Sequence, residues 1–138
     1  MCRTIDFYFD KNDPKFFTKT LVVNDSTENY VSHVFITSPI YDVFGIEIGY
    51  KVANDYVQQI GDKQYSVVID STYFIKGKGT ISWSIAFINE KPNPFYLINQ
   101  VYASNITSTT GEYFGKTGAV ALTALENGIR NVTIGFNF

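Results

Sequence analysis

From Ile5 to Phe136, nearly every apolar stretch of this chain repeats with period two, and no stretch keeps a helical period for more than a turn or two. Ile5, Phe7 and Phe9 alternate with Asp6 and Tyr8. In "FGIEIGYKVA" (44–53), Phe44, Ile46, Ile48, Tyr50 and Val52 share one face, while Gly45, Glu47, Gly49, Lys51 and Ala53 share the other. "YSVVIDSTYFI" (65–75) and "TISWSIAFI" (80–88) flank the turn "KGKG" and predict a hairpin, because its glycines accept positive φ. Further strands are expected over 30–37, 95–107, 118–125 and 129–136. "GAVALTAL" also has helix-forming composition, but Val120, Leu122 and Ala124 keep period two.

Helical signals are short. Asp13-Pro14 has the form of an N-cap and first-turn proline, and Asp55 is placed to cap "YVQQI" before Gly61. Neither segment has room for more than a turn or two. Strands joined by short turns, with no helix able to cover a sheet, predict an all-β fold, a closed antiparallel eight-stranded β-barrel. Residues 1–138 are expected to form one domain, with 1–29 as N-terminal strands or arm and 30–138 as the barrel.

Several strands are apolar on both phases. In 65–75, Tyr65, Val67, Ile69, Tyr73 and Ile75 lie on one face, and Val68 and Phe74 on the other. In 95–106, Phe95, Leu97, Val101 and Ala103 oppose Tyr96, Ile98, Tyr102 and Ile106. One phase fills a barrel; covering the other with further copies of the chain predicts a homo-oligomer, a trimer before a dimer.

Charge and composition narrow the partners. A net charge of −2 and a pI near 5.3 lack the basic excess of a nucleic-acid binder. No segment approaches the roughly 20 apolar residues of a spanning helix, so no membrane role is expected. Cys2 is the only cysteine, and "MCRTIDFYFDKNDPKFFTKT" has no signal-peptide core, so an intracellular, cytoplasmic location is expected. The Asn-x-Ser/Thr triplets at Asn24, Asn105 and Asn131 then read as chance. Abundant Ile, Asn, Tyr, Phe and Lys is what AT-rich codons produce, as in a large DNA virus or a protist.

"TSTTGEYFGKTGAV" (107–120) offers two readings. Gly115-Lys116-Thr117 evokes a phosphate-binding loop, yet Gly111 and Gly115 are one residue too close for that pattern, and a strand-like segment follows. A barrel-corner hairpin with glycines at its strained positions is the better reading. Here the chain resembles the allene oxide cyclase and dirigent barrels, which carry a Gly-Thr-Gly-x-Phe/Tyr-x-x-x-x-Gly run. Thr110, Gly111, Tyr113 and Gly118 match it, and Thr109 replaces its first glycine. "FGIEIGYKVA" is similar to the G-x-x-x-G strand of the same group. The resemblance implies an eight-stranded barrel with a central cavity, commonly assembled as a trimer. Where plant dirigent proteins carry an arginine, this chain has Lys116 and Thr117, so the fold is carried over and the activity is not.

Glu47, between Gly45 and Gly49, is the most suggestive acid. If its phase points inward, Glu47 is a desolvated acid with a raised pKa; if outward, Glu47 and Lys51 are ordinary surface charges. Asp70 interrupts an apolar strand and is a second candidate, with a hydrogen-bonded structural role as its alternative. Glu47, Tyr50 and Tyr73 are the candidate ligand-binding residues. His33 has no second histidine or nearby cysteine, so no metal is expected, and no cofactor either. The favoured function is a non-catalytic barrel serving as a binding or assembly module. Its alternative is a small cofactor-free isomerase or cyclase acting on a hydrophobic substrate in the cavity.

Overall fold

A computed structural model describes residues 3–24, 30–93 and 95–137. Its strands are β1 (Arg3–Asp10), β2 (Phe17–Asn24), β3 (Val31–Tyr41), β4 (Glu47–Gly61), β5 (Gln64–Ile75), β6 (Gly79–Asn89), β7 (Val101–Thr109), β8 (Gly118–Ala124) and β9 (Ile129–Phe136). They form one antiparallel sheet in the order β1-β9-β8-β7-β6-β5-β4-β3-β2, and Tyr8 of β1 pairs with Tyr41 of β3. β1 and β2 lie one after the other along the same edge of β3, as two halves of one stave. Eight staves therefore close into a barrel, which removes the exposed edges of an open sheet.

The seam is clasped by side chains. Tyr41 donates its hydroxyl hydrogen to Asp13 and stacks on Tyr8, with ring centroids 5.4 Å apart. That hydrogen bond holds the Asp13 carboxyl below its ordinary pKa and pushes the Tyr41 phenol up. Asp13 belongs to a turn, where it also accepts the Lys15 backbone N–H.

Period-two alternation sorts each strand into a lumenal and an outer phase. Val57, Val67, Ile69, Tyr73, Ile81, Trp83, Val120, Leu122, Val132, Ile134 and Phe136 line the lumen, all almost completely buried. Trp83 donates its indole N–H to the Tyr73 hydroxyl at 2.9 Å, so two large rings are buried with their polar atoms paired.

The 107–120 corner packs at one barrel end. Gly111 has φ +67°, and a Cβ there would lie 2.3 Å from the Lys78 carbonyl oxygen. That close approach lets Glu112 N–H donate to Lys78 O at 2.7 Å, stitching the corner to the β5–β6 turn. A short 3-10 turn, Gly111–Tyr113, follows, and buried Tyr113 stacks on Phe136. The next element is strand β8, not a helix, so the corner reading holds and the phosphate loop does not.

Two expectations need correction. The strand expected over 95–107 begins only at Val101. Asn99 adopts φ 63°, outside the extended region, and Phe95–Gln100 crosses the other barrel end instead. The segment is tied down where Asn99 N–H donates to Ala124 O at 2.7 Å and Leu97 N–H to the Tyr102 hydroxyl at 2.8 Å. Secondly, Asp55 caps no helix, because β4 runs unbroken from Glu47 to Gly61.

Candidate functional site

β4 determines the chemistry of the lumen. Its inward phase carries Glu47, Gly49, Lys51, Ala53, Asp55 and Val57, the phase that combines small residues with charges. Two of those charges lie deep inside: Lys51 and Asp55 are each 2 % exposed. Cross-strand register sets Lys51 opposite Ser38 of β3 and Tyr73 of β5, while Asp55 faces Val34 and Ile69. Ser71 lies opposite Ala53, one inward step from each charge. Arg130 of β9 is also buried, and Tyr96 enters from the end-crossing segment. The Arg130 guanidinium stands 6.0 Å from the Tyr96 ring centroid.

Three polar atoms of this set have no hydrogen-bond partner: Asp55 Oδ1, Ser71 Oγ and the Tyr96 hydroxyl. A buried polar group left unpaired costs about 1–3 kcal/mol, and more when it carries charge. Converging on one lumen, such a cost is what a ligand-binding interior accepts and a purely structural core removes.

Burial also tunes the ionisable groups. Desolvation pushes the Asp55 carboxyl up to about 6, against the attraction of Lys51 and His33. Desolvation pulls the Lys51 ammonium down to about 8, opposed by Asp55 and assisted by Arg130. The Lys51 Nζ rests 3.9 Å from the centroid of the Phe9 ring. Tyr96 is held well above its ordinary range by burial, with Asp55 adding to the effect. Desolvation lowers Arg130.

The residues singled out from sequence do not converge. Glu47 belongs to the inward phase but stands at the mouth, where it pairs with Lys76 at 3.2 Å and Lys15 at 3.6 Å. The hydrogen bond from Lys76 lowers its pKa, which corrects the expected desolvated acid. Position along the strand decided this, not phase. Asp70 is exposed on the outer face and accepts a hydrogen bond from Ser84 Oγ at 2.6 Å. Tyr50 is outside too, 48 % exposed and stacked on Phe74 at 4.6 Å. Of the four, Tyr73 alone lines the deep lumen. Sequence reasoning missed Asp55, Ser71, Tyr96 and Arg130 and weighed Lys51 only as a surface charge on an outward phase; the available signal was a charge on a phase otherwise built of Gly49, Ala53 and Val57.

A small closed antiparallel β-barrel with an ionisable lumen is the class of protein that the fold and site define. The chain matches no protein-family model and no curated protein sequence. Among solved structures it is similar to a pyocyanin demethylase, with TM-score 0.68 and 13 % identity over 99 % of this chain and 100 % of that one. It is similar also to AbnU, an exo-specific intermolecular Diels-Alderase, with TM-score 0.69 and 11 % identity over 99 % and 96 % of the two chains. These likenesses establish the barrel. Because both are named as enzymes, they also correct the expectation of a non-catalytic binding or assembly module.

Proposed function

We propose that the chain is a small-molecule enzyme whose barrel lumen is the reaction chamber and whose acid–base group is Asp55. The observation that carries this is the Asp55 carboxyl, buried with an unpartnered oxygen and a pKa near 6. Near neutral pH such a group populates both protonation states, which is what a general acid or base requires. An eight-stranded barrel is wide enough for packed side chains or for one small ligand, and the unpartnered polar atoms of Asp55, Ser71 and Tyr96 favour the second. The rings of Phe9, Tyr73, Trp83, Tyr96 and Tyr102 favour an apolar substrate, and shape and proton transfer favour an isomerisation or cyclisation. The names of the two similar barrels, a pyocyanin demethylase and a Diels-Alderase, support organic small molecules as the substrate class.

The 107–120 run supports membership of the allene oxide cyclase and dirigent-like group. A homotrimer is supported by apolar residues left outside, among them Tyr50, Ile88, Leu97 and Val101. No helix among the described residues is long and apolar enough to cross a membrane, and a cytoplasmic location remains our proposal. Sedimentation equilibrium tests the assembly: a mass of one 15.6 kDa chain at micromolar concentration rejects the trimer.

The test of function is a panel of hydrophobic compounds, pyocyanin included, scored by thermal shift and then by mass spectrometry for conversion. Conversion by the wild type, lost in Asp55→Asn while binding persists, is the expected result. Compounds that bind both proteins and return unchanged reject it.

A further inference from the structure

Lys51 is the only buried lysine among the described residues. The ion pairs of those residues both belong to Glu47, so no carboxylate among the described residues stands within ion-pair distance of the Lys51 Nζ. A charge that served the fold alone would be expected to have such a partner, because a buried unpaired ammonium is costly. Its surroundings are an aromatic face (Phe9), a small hydroxyl opposite (Ser38) and the ring of Tyr73. The unpartnered hydroxyls of Ser71 and Tyr96 lie in the same lumen and can donate hydrogen bonds. An apolar molecule bearing a carbonyl oxygen supplies the acceptor that the Ser71 and Tyr96 hydroxyls lack.

We infer that Lys51 is a substrate-capturing amine, its Nζ condensing with the carbonyl carbon of an apolar aldehyde or ketone in the lumen. This names the substrate class of the chamber proposed above and rests on that reading. The nitrogen lone pair forms the C–N bond and gives a carbinolamine. The C–O bond then breaks, and the oxygen leaves as water with the two protons of the neutral amine, relayed by the lumenal hydroxyls. The imine nitrogen takes up one proton and becomes an iminium, an electron sink for acid–base chemistry at the adjacent carbon. Burial supplies the neutral amine: with a pKa near 8, about a tenth of Lys51 is unprotonated at pH 7, against a few in ten thousand for an ordinary lysine.

The test uses the folded wild-type chain, 2-naphthaldehyde as probe and cyanoborohydride, whose hydride reduces the iminium carbon and fixes the adduct. At pH 7 one naphthylmethyl group per chain is expected, mapped by peptide mass spectrometry to Lys51. Its rate should exceed that at any exposed lysine by on the order of tenfold or more, and Lys51→Arg should lose it. Adducts spread over Lys15, Lys76 and the other exposed lysines, with Lys51 unmodified, overturn the inference. If Lys51 stays unmodified while Asp55→Asn still abolishes conversion of a compound from the panel, this inference falls and the acid–base reading stands. Trapping at Lys51 in a protein whose Asp55→Asn variant converts that compound at full rate gives the reverse.

Discussion

Glu47 and Asp55 are carboxylates on the same face of the same strand, and the barrel makes them chemically unlike. Glu47 stands at the mouth, where Lys76 and Lys15 approach it and water screens all three. Its pKa falls below the ordinary value. Asp55 lies deep in the lumen, one oxygen unpaired, and desolvation pushes its pKa up to about 6. The mouth binds a carboxylate in its charged form, and the lumen holds one close to neutrality. Phase places a residue inside or outside a barrel, but depth along the axis decides what it can do.

The sharpest way to break this comparison is to neutralise the deep acid. In Asp55→Asn, turnover of any substrate identified from the panel should fall roughly 10²–10⁴-fold, the usual worth of a positioned acid–base group. Steady-state kinetics on both proteins read this directly, and a loss under tenfold removes Asp55 from the chemistry. The mouth, by contrast, should be sensitive through its backbone. Gly111→Val forces a side chain onto a positive φ and into the Lys78 carbonyl, so it should cost on the order of 3 kcal/mol in denaturant unfolding.

The same Asp55→Asn change should raise stability at neutral pH. A folded pKa above the unfolded value means that Asp55 favours folding most below pH 4, and that this contribution is lost as pH rises through about 6. The loss amounts to roughly 3 kcal/mol for a carboxyl moved from its ordinary value up to about 6, with Lys51 and His33 as the opposing charges and Tyr96 as the adjacent hydroxyl. The variant should therefore be more stable than wild type at pH 7.5, by part of that amount, and equal to it near pH 4. Urea midpoints across that range check the sign. Equal midpoints at pH 7.5 indicate a carboxylate that is already solvated. The smallest effect belongs to Glu47→Gln: a melting temperature within experimental scatter of wild type, because exposed ion pairs contribute little.

The strands were legible because alternation survives in nearly all of them; residues 129–136 were read as a strand and are β9. The closing corner was legible too, since Gly111 and Gly118 mark positions that other residues reach only under strain. What failed was local reading of segments whose conformation is imposed from a distance. Phe95–Gln100 has strand composition but is pulled across the barrel end by bonds to Ala124 and Tyr102. Asp55 resembles a helix cap locally, and only the register of β3 and β5 against β4 sends it inward. The site was hidden by the ordinary expectation that charges face water. Lys51 and Asp55 break that expectation together on one phase, and such a break in an otherwise consistent pattern marks function more often than error.

The account stands on the ionisation of one carboxyl group, which can be measured directly. Selective 13C labelling of aspartate, followed by NMR titration of the side-chain carboxyl resonances, assigns Asp55 through its loss in Asp55→Asn. A midpoint near 6 is the result predicted here. A midpoint in the ordinary range for aspartate, near 4, would show that water reaches Asp55 in the lumen and would remove the basis for placing the chemistry there.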